Sequence, residues 1–158
     1  GATVEGLLRA VASLAAEREP VALAGLRLEA LGAWLALTCG GASEAIDRLA
    51  ADCVTRLDGF RAPPSAAELA RRRAGGLLAR QEAHLRDWGY PYVLDEFRFH
   101  MTLAGPLDPG AGEAVAAALG PALGEALAAP AAIEDLCLCV EPAPGAGFRV
   151  LRRLPLGR

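Results

Sequence analysis

The sequence predicts an α+β fold made of two related halves, and three observations lead there. Residues 1–39 read helix, Pro20, strand, turn, strand, and residues 111–154 read helix, Pro130, strand, turn, strand. Shifting one half onto the other by 110 positions sets Pro20 on Pro130, Leu23 on Ile133, Leu26 on Leu136 and Leu28 on Leu138. Between the halves, Asp95-Glu96-Phe97-Arg98-Phe99-His100-Met101-Thr102-Leu103 alternates apolar and polar with the period of a strand. Finally, 158 residues with 53% hydrophobic and 22% charged side chains suit a globular chain of one domain, or two small lobes sharing a core.

In chain order, Thr3 caps a helix running to Arg18, with Leu7, Leu8, Val11 and Leu14 as its apolar stripe and Pro20 closing it. Strand-like runs follow at Val21–Ala30 and Ala33–Cys39, joined by a turn at Gly32. Gly40-Gly41-Ala42-Ser43 is a break; it reads as a turn, the alternative being a phosphate cradle, and Ser43 is placed to cap a helix over Glu44–Phe60. Arg61-Ala62-Pro63-Pro64 is an extended connector, and Ser65 caps a helix from Ala66. Arg71-Arg72-Arg73 spreads around that helix and reads as a solvated surface beside acids such as Glu68. Gly75-Gly76 bends or interrupts the helix, since glycine costs about 1 kcal/mol against alanine there. The pattern resumes through Gln81, His84 and Leu85 to Gly89, and His84 reads as a surface histidine. After the alternating strand come a turn-rich link over Gly105–Gly110, a helix over Ala111–Ala128, and strands at Ile133–Glu141 and Phe148–Leu154. The organisation expected is a first lobe with its following helix over 1–60, a helical connector over 61–95 and a second lobe over 96–158.

Within the alternating strand, Phe97, Phe99, Met101 and Leu103 form a face destined for a core, while Glu96, Arg98, His100 and Thr102 form the other. An imidazole, a hydroxyl and a guanidinium in one row can hold a phosphate; a polar face on an antiparallel sheet is the ordinary alternative. Net charge of −3 and a pI near 5.4 argue against gripping extended nucleic acid, and leave a small phosphorylated ligand open. All sixteen basic residues are arginine. Cys39, Cys53, Cys137 and Cys139 contain no Cys-x-x-Cys pair. Cys137 and Cys139 share a strand face, either as half of a soft-metal site or, the favoured reading, as buried thiols. Reduced cysteines, with no long apolar span and no export signal, place the chain in the cytoplasm and off the membrane as an expectation. Trp34 and Trp88 are expected in the core.

His100-Met101-Thr102-Leu103 resembles the His-x-Thr-hydrophobic motif of the two-histidine phosphoesterase superfamily. The longer run from Trp88 to Leu103, the Phe60-Arg61-Ala62-Pro63 segment and the Ala67–Arg73 helix resemble a bacterial branch encoded beside phosphonate-degradation genes. The resemblance implies two pseudo-symmetric lobes of antiparallel sheet and helices around a central cleft, each lobe giving one His-x-Thr strand. It implies metal-independent general acid/base chemistry, without a cofactor, on a cyclic phosphate or phosphodiester of a small sugar phosphate or nucleotide. One histidine acts as base, the other as acid, and the hydroxyls hold phosphoryl oxygens. His100 and Thr102 match the motif as catalytic residues. Arg98 has two readings, phosphate contact or ion pair with an acid such as Glu96; Tyr92 has two as well, ligand contact or wall.

The pattern is departed from in one respect. Only one such motif is present, His84 lacks the Thr and the strand, and the repeat places the matching strand upstream of Gly1. Two alternatives therefore stand beside the enzyme: a non-catalytic module binding nucleotide or sugar phosphate, and a scaffold for other phosphonate-pathway proteins.

Overall fold

The structure is a computed structural model that describes residues 3–40, 44–108, 110–143 and 145–157. Every strand pairing among them is antiparallel, and the fold is α+β. Helix α1 (Val4–Ala16) starts where Thr3 Oγ1 accepts the Gly6 N–H at 3.0 Å, and it buries Val11, Leu14 and Ala15. Its last turn is closed by the rest of the chain: the Ala15 carbonyl accepts from Arg18 N and from Gly157 N, which satisfies an otherwise orphaned acceptor.

Strands β1 (Val21–Leu23), β2 (Leu26–Leu31) and β3 (Trp34–Cys39) follow. The run expected as one strand over 21–30 is broken at Gly25, whose φ of +57° is readily reached only without a Cβ. Then come α2 (Glu44–Leu57), a 3-10 turn at Asp58–Phe60, α3 (Ala66–Arg73) and α4 (Ala79–Trp88). Ser65 Oγ accepts from Glu68 N, and Gly89 ends α4 in the left-handed region, as expected. The Ser43 cap and most of the Gly40–Ser43 break fall outside the described residues. The last elements are β4 (Met101–Ala104), α5 (Ala111–Ala128), β5 (Ala131–Ile133), β6 (Asp135–Val140) and β7 (Arg149–Pro155).

The chain forms two compact units, each drawn from both halves of the sequence. One comprises Gly1–Pro20, Asp47–Arg98 and Glu134–Arg158; the other comprises Val21–Ile46 and Phe99–Ile133. In the first, α1 packs on the β6–β7 hairpin, and Leu156 closes the core at the end of β7. In the same unit Arg56 donates twice to Glu17 at 2.8 Å, and Arg18 Nε reaches Asp52 at 2.7 Å. The Arg56 pair, helped by Ser13, holds the Glu17 carboxyl down at about 2. In the second unit, α5 packs on the β2–β3 hairpin, and β4 adds a third strand beside β3.

The repeat is therefore present with exchanged partners: the helix of each half lies on the hairpin of the other. The strands that follow Pro20 and Pro130, β1 and β5, pair with each other, with Ala22 opposite Ala132. Those two alanines are related by the same 110-residue offset. No helix among the described residues is long and apolar enough to cross a membrane.

Several side chains lie elsewhere than their chemistry suggested. Trp34 is 47% exposed, lying against the backbone of Gly105 instead of in a core. Cys137 and Cys139 are exposed, because α1 covers the side of the hairpin that carries the half-buried Leu136, Leu138 and Leu154. Arg72 is half-buried, paired with Glu68 at 2.7 Å and stacked 4.6 Å above the Tyr90 ring, so the arginine run is not wholly solvated.

Gly105 directly follows β4, with φ +139°. A Cβ there would sit 2.5 Å from Trp34 Cε3 and 2.8 Å from the Ala33 carbonyl. We expect Gly105→Ala to destabilise the protein by more than about 1 kcal/mol in urea denaturation, and adding Trp34→Ala to recover part of that loss. An unshifted midpoint in the single variant would contradict this packing.

Candidate functional site

The alternating stretch is shorter as a strand than its sequence predicts. Leu94–Glu96 forms a 3-10 turn, with Glu96 N bonded to Val93 O and Phe97 N to Leu94 O, and Leu94 sits at φ +55°. Those local hydrogen bonds withdraw Asp95 and Glu96 from any strand face. Residues 97–100 lie outside any ladder, and β4 begins only at Met101. The face expected in a core is only partly covered: Phe97 and Phe99 are half-buried, while Met101 is 36% and Leu103 46% exposed. Strand β4 has one neighbour among the described residues, β3. Alternation alone cannot say whether a second strand or helix covers an apolar face.

Of the four polar residues expected on one face, Thr102 is the one in the ladder of the second unit. Pairing sets Ala36 opposite Thr102 and Leu37 opposite Met101, before a register shift at Leu35/Ala36. On the other side, Arg27 stands opposite Thr38, and Glu29 opposite Ala36. Directly opposed residues project to the same side of a sheet. Arg27, Glu29, Ala36, Thr38 and Thr102 therefore share one face. His100 immediately precedes the first ladder residue, Met101, and has no partner in the β3–β4 register. Helix α5 occupies the opposite side: a Cβ on Gly112 would lie 3.0 Å from the Ala30 methyl, and Ala30 alternates with Glu29. His100 and Thr102 are both exposed, two residues apart in the chain.

Thr38 was not singled out in the sequence. It is buried at 3% exposure, and its hydroxyl meets no hydrogen-bond partner among the described residues. Reading β3 with period two puts Thr38 on the face of Ala36, which is the only signal that could have found it. Arg27 on the same face is already engaged, donating from its guanidinium to the Gly40 carbonyl.

Arg98 and Tyr92 belong to the first unit, since the division falls between Arg98 and Phe99. Arg98 is exposed. Tyr92 is 47% exposed and meets Tyr90 edge to face, with ring centroids 5.8 Å apart. Neither is brought into the ladder that carries Thr102.

His84 is not on the surface. It is 3% exposed, with Nε2 2.7 Å from Asp95 Oδ1, and Arg80 grips the same carboxylate with Nε at 2.7 Å and Nη2 at 2.8 Å. Gln81 Nε2 donates to Glu96 at 2.9 Å. One side of α4, with Arg80 and His84 four residues apart, thus clamps the 3-10 turn that precedes the His100 segment. Among the described residues no three His, Cys, Asp or Glu side chains gather to hold a metal ion, so Cys137 and Cys139 lack a third ligand there.

Residues 1–149 match the family described as "Protein of unknown function (DUF1045)". The chain belongs to the DUF1045 family. Two curated relatives carry the name ribose 1,5-bisphosphate phosphokinase PhnN. The one from Janthinobacterium sp. (strain Marseille) is 39% identical over 159 residues, covering 98% of this chain and 35% of the relative. The one from Laribacter hongkongensis (strain HLHK9) is 40% identical over 77 residues, covering 49% of this chain and 18% of the relative. This DUF1045 chain spans about a third or less of the length of the curated relatives it matches. No solved structure matches it.

The clamp around Asp95 yields a pH prediction. Arg80 foremost, with the His84 hydrogen bond, holds the Asp95 carboxyl well below its ordinary value. A carboxylate whose folded pKa is depressed contributes stability that is complete above the unfolded value and lost as pH falls through the folded one. We therefore expect Asp95→Asn to lower the urea midpoint at pH 7. The gap to the unaltered protein should narrow as the pH is taken below 3.8, the ordinary value for the group. A gap independent of pH would show that the charge of Asp95 is not what matters.

Proposed function

We propose that this chain supplies one half of a metal-independent phosphoesterase acting on a cyclic phosphate or phosphodiester of a small sugar phosphate or nucleotide, in phosphonate metabolism. The observation that carries the reading is the exposed pair His100 and Thr102, two residues apart at the start of β4, with Thr102 on the face of the β2–β3–β4 sheet opposite α5. A neutral imidazole takes the proton of the attacking water or hydroxyl. A protonated one gives a proton to the departing ester oxygen as the P–O bond breaks. Imidazole suits both steps because its ordinary pKa lies near neutrality. The Thr102 hydroxyl donates to a phosphoryl oxygen as charge builds there. His100 is one member of the acid/base pair.

The second member belongs, in this reading, to a strand that stands to α1 and β7 as β4 stands to α5 and β3. The β7 edge suits such a neighbour: Phe148 is 78% exposed, and Val150 and Leu151 are each 51% exposed. Each of the two compact units takes one motif strand on this account, in place of lobes over 1–60 and 96–158.

The curated relatives are named for a phosphokinase acting on a ribose bisphosphate, which supports a phosphorylated sugar as the ligand class. Kinase chemistry on a glycine-rich loop needs a lysine against the phosphates, and these 158 residues contain none. The phosphoesterase reading uses residues that are here.

A second reading, a binding module without turnover, is favoured by one observation: the other histidine, His84, is buried against Asp95 in the other unit. The two readings part under assay. With bis(4-nitrophenyl) phosphate and 2',3'-cyclic nucleotides as substrates, and the protein assayed at a length that carries both motif strands, His100→Ala is expected to lower kcat/KM by about 10²–10⁴-fold. Equal turnover in that variant would remove the catalytic assignment. Ligand binding with no turnover in the unaltered protein, kept in His100→Asn, would establish the binding module instead.

A further inference from the structure

We propose that Cys137 and Cys139 form a two-coordinate site for a soft monovalent cation, Cu(I), on the face of the β6–β7 hairpin opposite α1. Free cysteine ranks among the most buried residue types, so two exposed thiols on one strand ask for a chemical reason. Both are exposed, while Leu138 between them is half-buried on the side that α1 covers. The register shift between Leu138 and Cys139 places its extra residue, Leu151, on β7. Strand β6 therefore keeps its alternation, and the two sulfurs project to one side. The other two cysteines are half-buried, and burial pushes the thiols of Cys39 and Cys53 up, which makes them poorer sources of thiolate.

Spacing and charge select the ligand. Cα atoms two residues apart on a strand lie about 6.4–6.8 Å apart, and their Cα–Cβ bonds run nearly parallel. A disulfide needs its Cβ atoms within about 3.5–4.5 Å, so closing one here would buckle β6. A shared metal ion asks for less: with metal–sulfur bonds of about 2.3 Å, two thiolates on opposite sides of one ion stand about 4.6 Å apart. Side chains leaning toward each other reach that spacing with the strand unmoved. No third His, Cys, Asp or Glu joins them among the described residues, which disfavours tetrahedral Zn²⁺ and suits linear coordination of Cu(I) by two sulfurs. Two thiolates and one monovalent ion leave a single negative charge. Arg153, opposite Cys137 on β7, answers it: its Nη1 donates to Cys137 Sγ at 3.6 Å and lies 3.8 Å from Asp135 Oδ2. A divalent ion would leave no charge for that guanidinium to balance. On binding, each thiol gives its proton to solvent as its sulfur bonds the ion, so two protons are released and no electron moves.

The test is anaerobic titration of the reduced protein with Cu(I) held in solution by acetonitrile, read by native mass spectrometry and by competition with bicinchoninate. One Cu(I) per chain is expected. Cys137→Ser and Cys139→Ser should each weaken it by about 10²–10⁴-fold, since a chelate becomes a single contact. Cys39→Ala and Cys53→Ala should leave it unchanged. Arg153→Gln is expected to weaken Cu(I) by about two- to fivefold, the scale of an exposed ion pair, with Arg153→Lys close to the unaltered protein. Cys137, Cys139 and Arg153 are all exposed, so these variants should keep the urea midpoint of the unaltered protein. Undiminished Cu(I) affinity in Cys137→Ser or Cys139→Ser, or one ion shared between two chains, would overturn the inference. So would an unaltered protein that takes up no Cu(I). Zn²⁺ held more tightly than Cu(I) by the same two cysteines, or a Cu(I) affinity indifferent to Arg153→Gln, would overturn the choice of a monovalent ion.

Discussion

The exchange of helices between the two halves is the constraint on which the rest of the structure depends. An amphipathic helix and a two-stranded hairpin each bury too little alone, and neither is independently stable in water. Here α1 buries Leu14 and Ala15 against a hairpin from the other end of the chain, and α5 lies on β2 and β3. The pairing of β1 with β5 through Ala22 and Ala132 joins the halves at equivalent positions. Deleting either half would leave one helix and one hairpin without a partner. The core is a property of the pair.

That constraint also positions the candidate site. With α5 on one side of the β2–β3–β4 sheet, Thr102 and Thr38 lie on the other. In the other unit, the α4 clamp holds Asp95 between Arg80 and His84. The clamp uses charge and a buried imidazole where one might expect apolar packing. Residues 97–100 lie outside the ladder.

Much of the fold was legible in the sequence because local signals carried it. Thr3, Ser65 and Gly89 sit at helix ends and do there what their side chains or lack of one allow. The order helix, proline, strand, turn, strand was visible in both halves. Which helix meets which hairpin was not, since apolar stripes state that a face is buried and not against what. His84 read as a surface residue because its partner Asp95 lies eleven positions away on another element, beyond any helical or strand period. Cys137 and Cys139 read as buried for the converse reason: their strand is apolar from Leu136 to Val140, and only the packed side of the hairpin decides between Leu138 and its neighbours. At the candidate site, His100 and Thr102 were legible as a pair two apart, whereas Thr38 depended on the register between strands.

The long reach of α1 has a consequence for synthesis. Its partners in β6 begin at Asp135, so the first helix leaves the ribosome well before the hairpin that covers it. At ordinary elongation speeds of 5–20 residues per second the interval is roughly 6–24 s. Through that time the apolar side of α1 and the early strands wait in a nascent chain whose native contacts are mostly still unmade. Such a polypeptide folds late and nearly all at once. Its risk of misassembly is set less by final stability than by what shields residues 4–40 while translation continues.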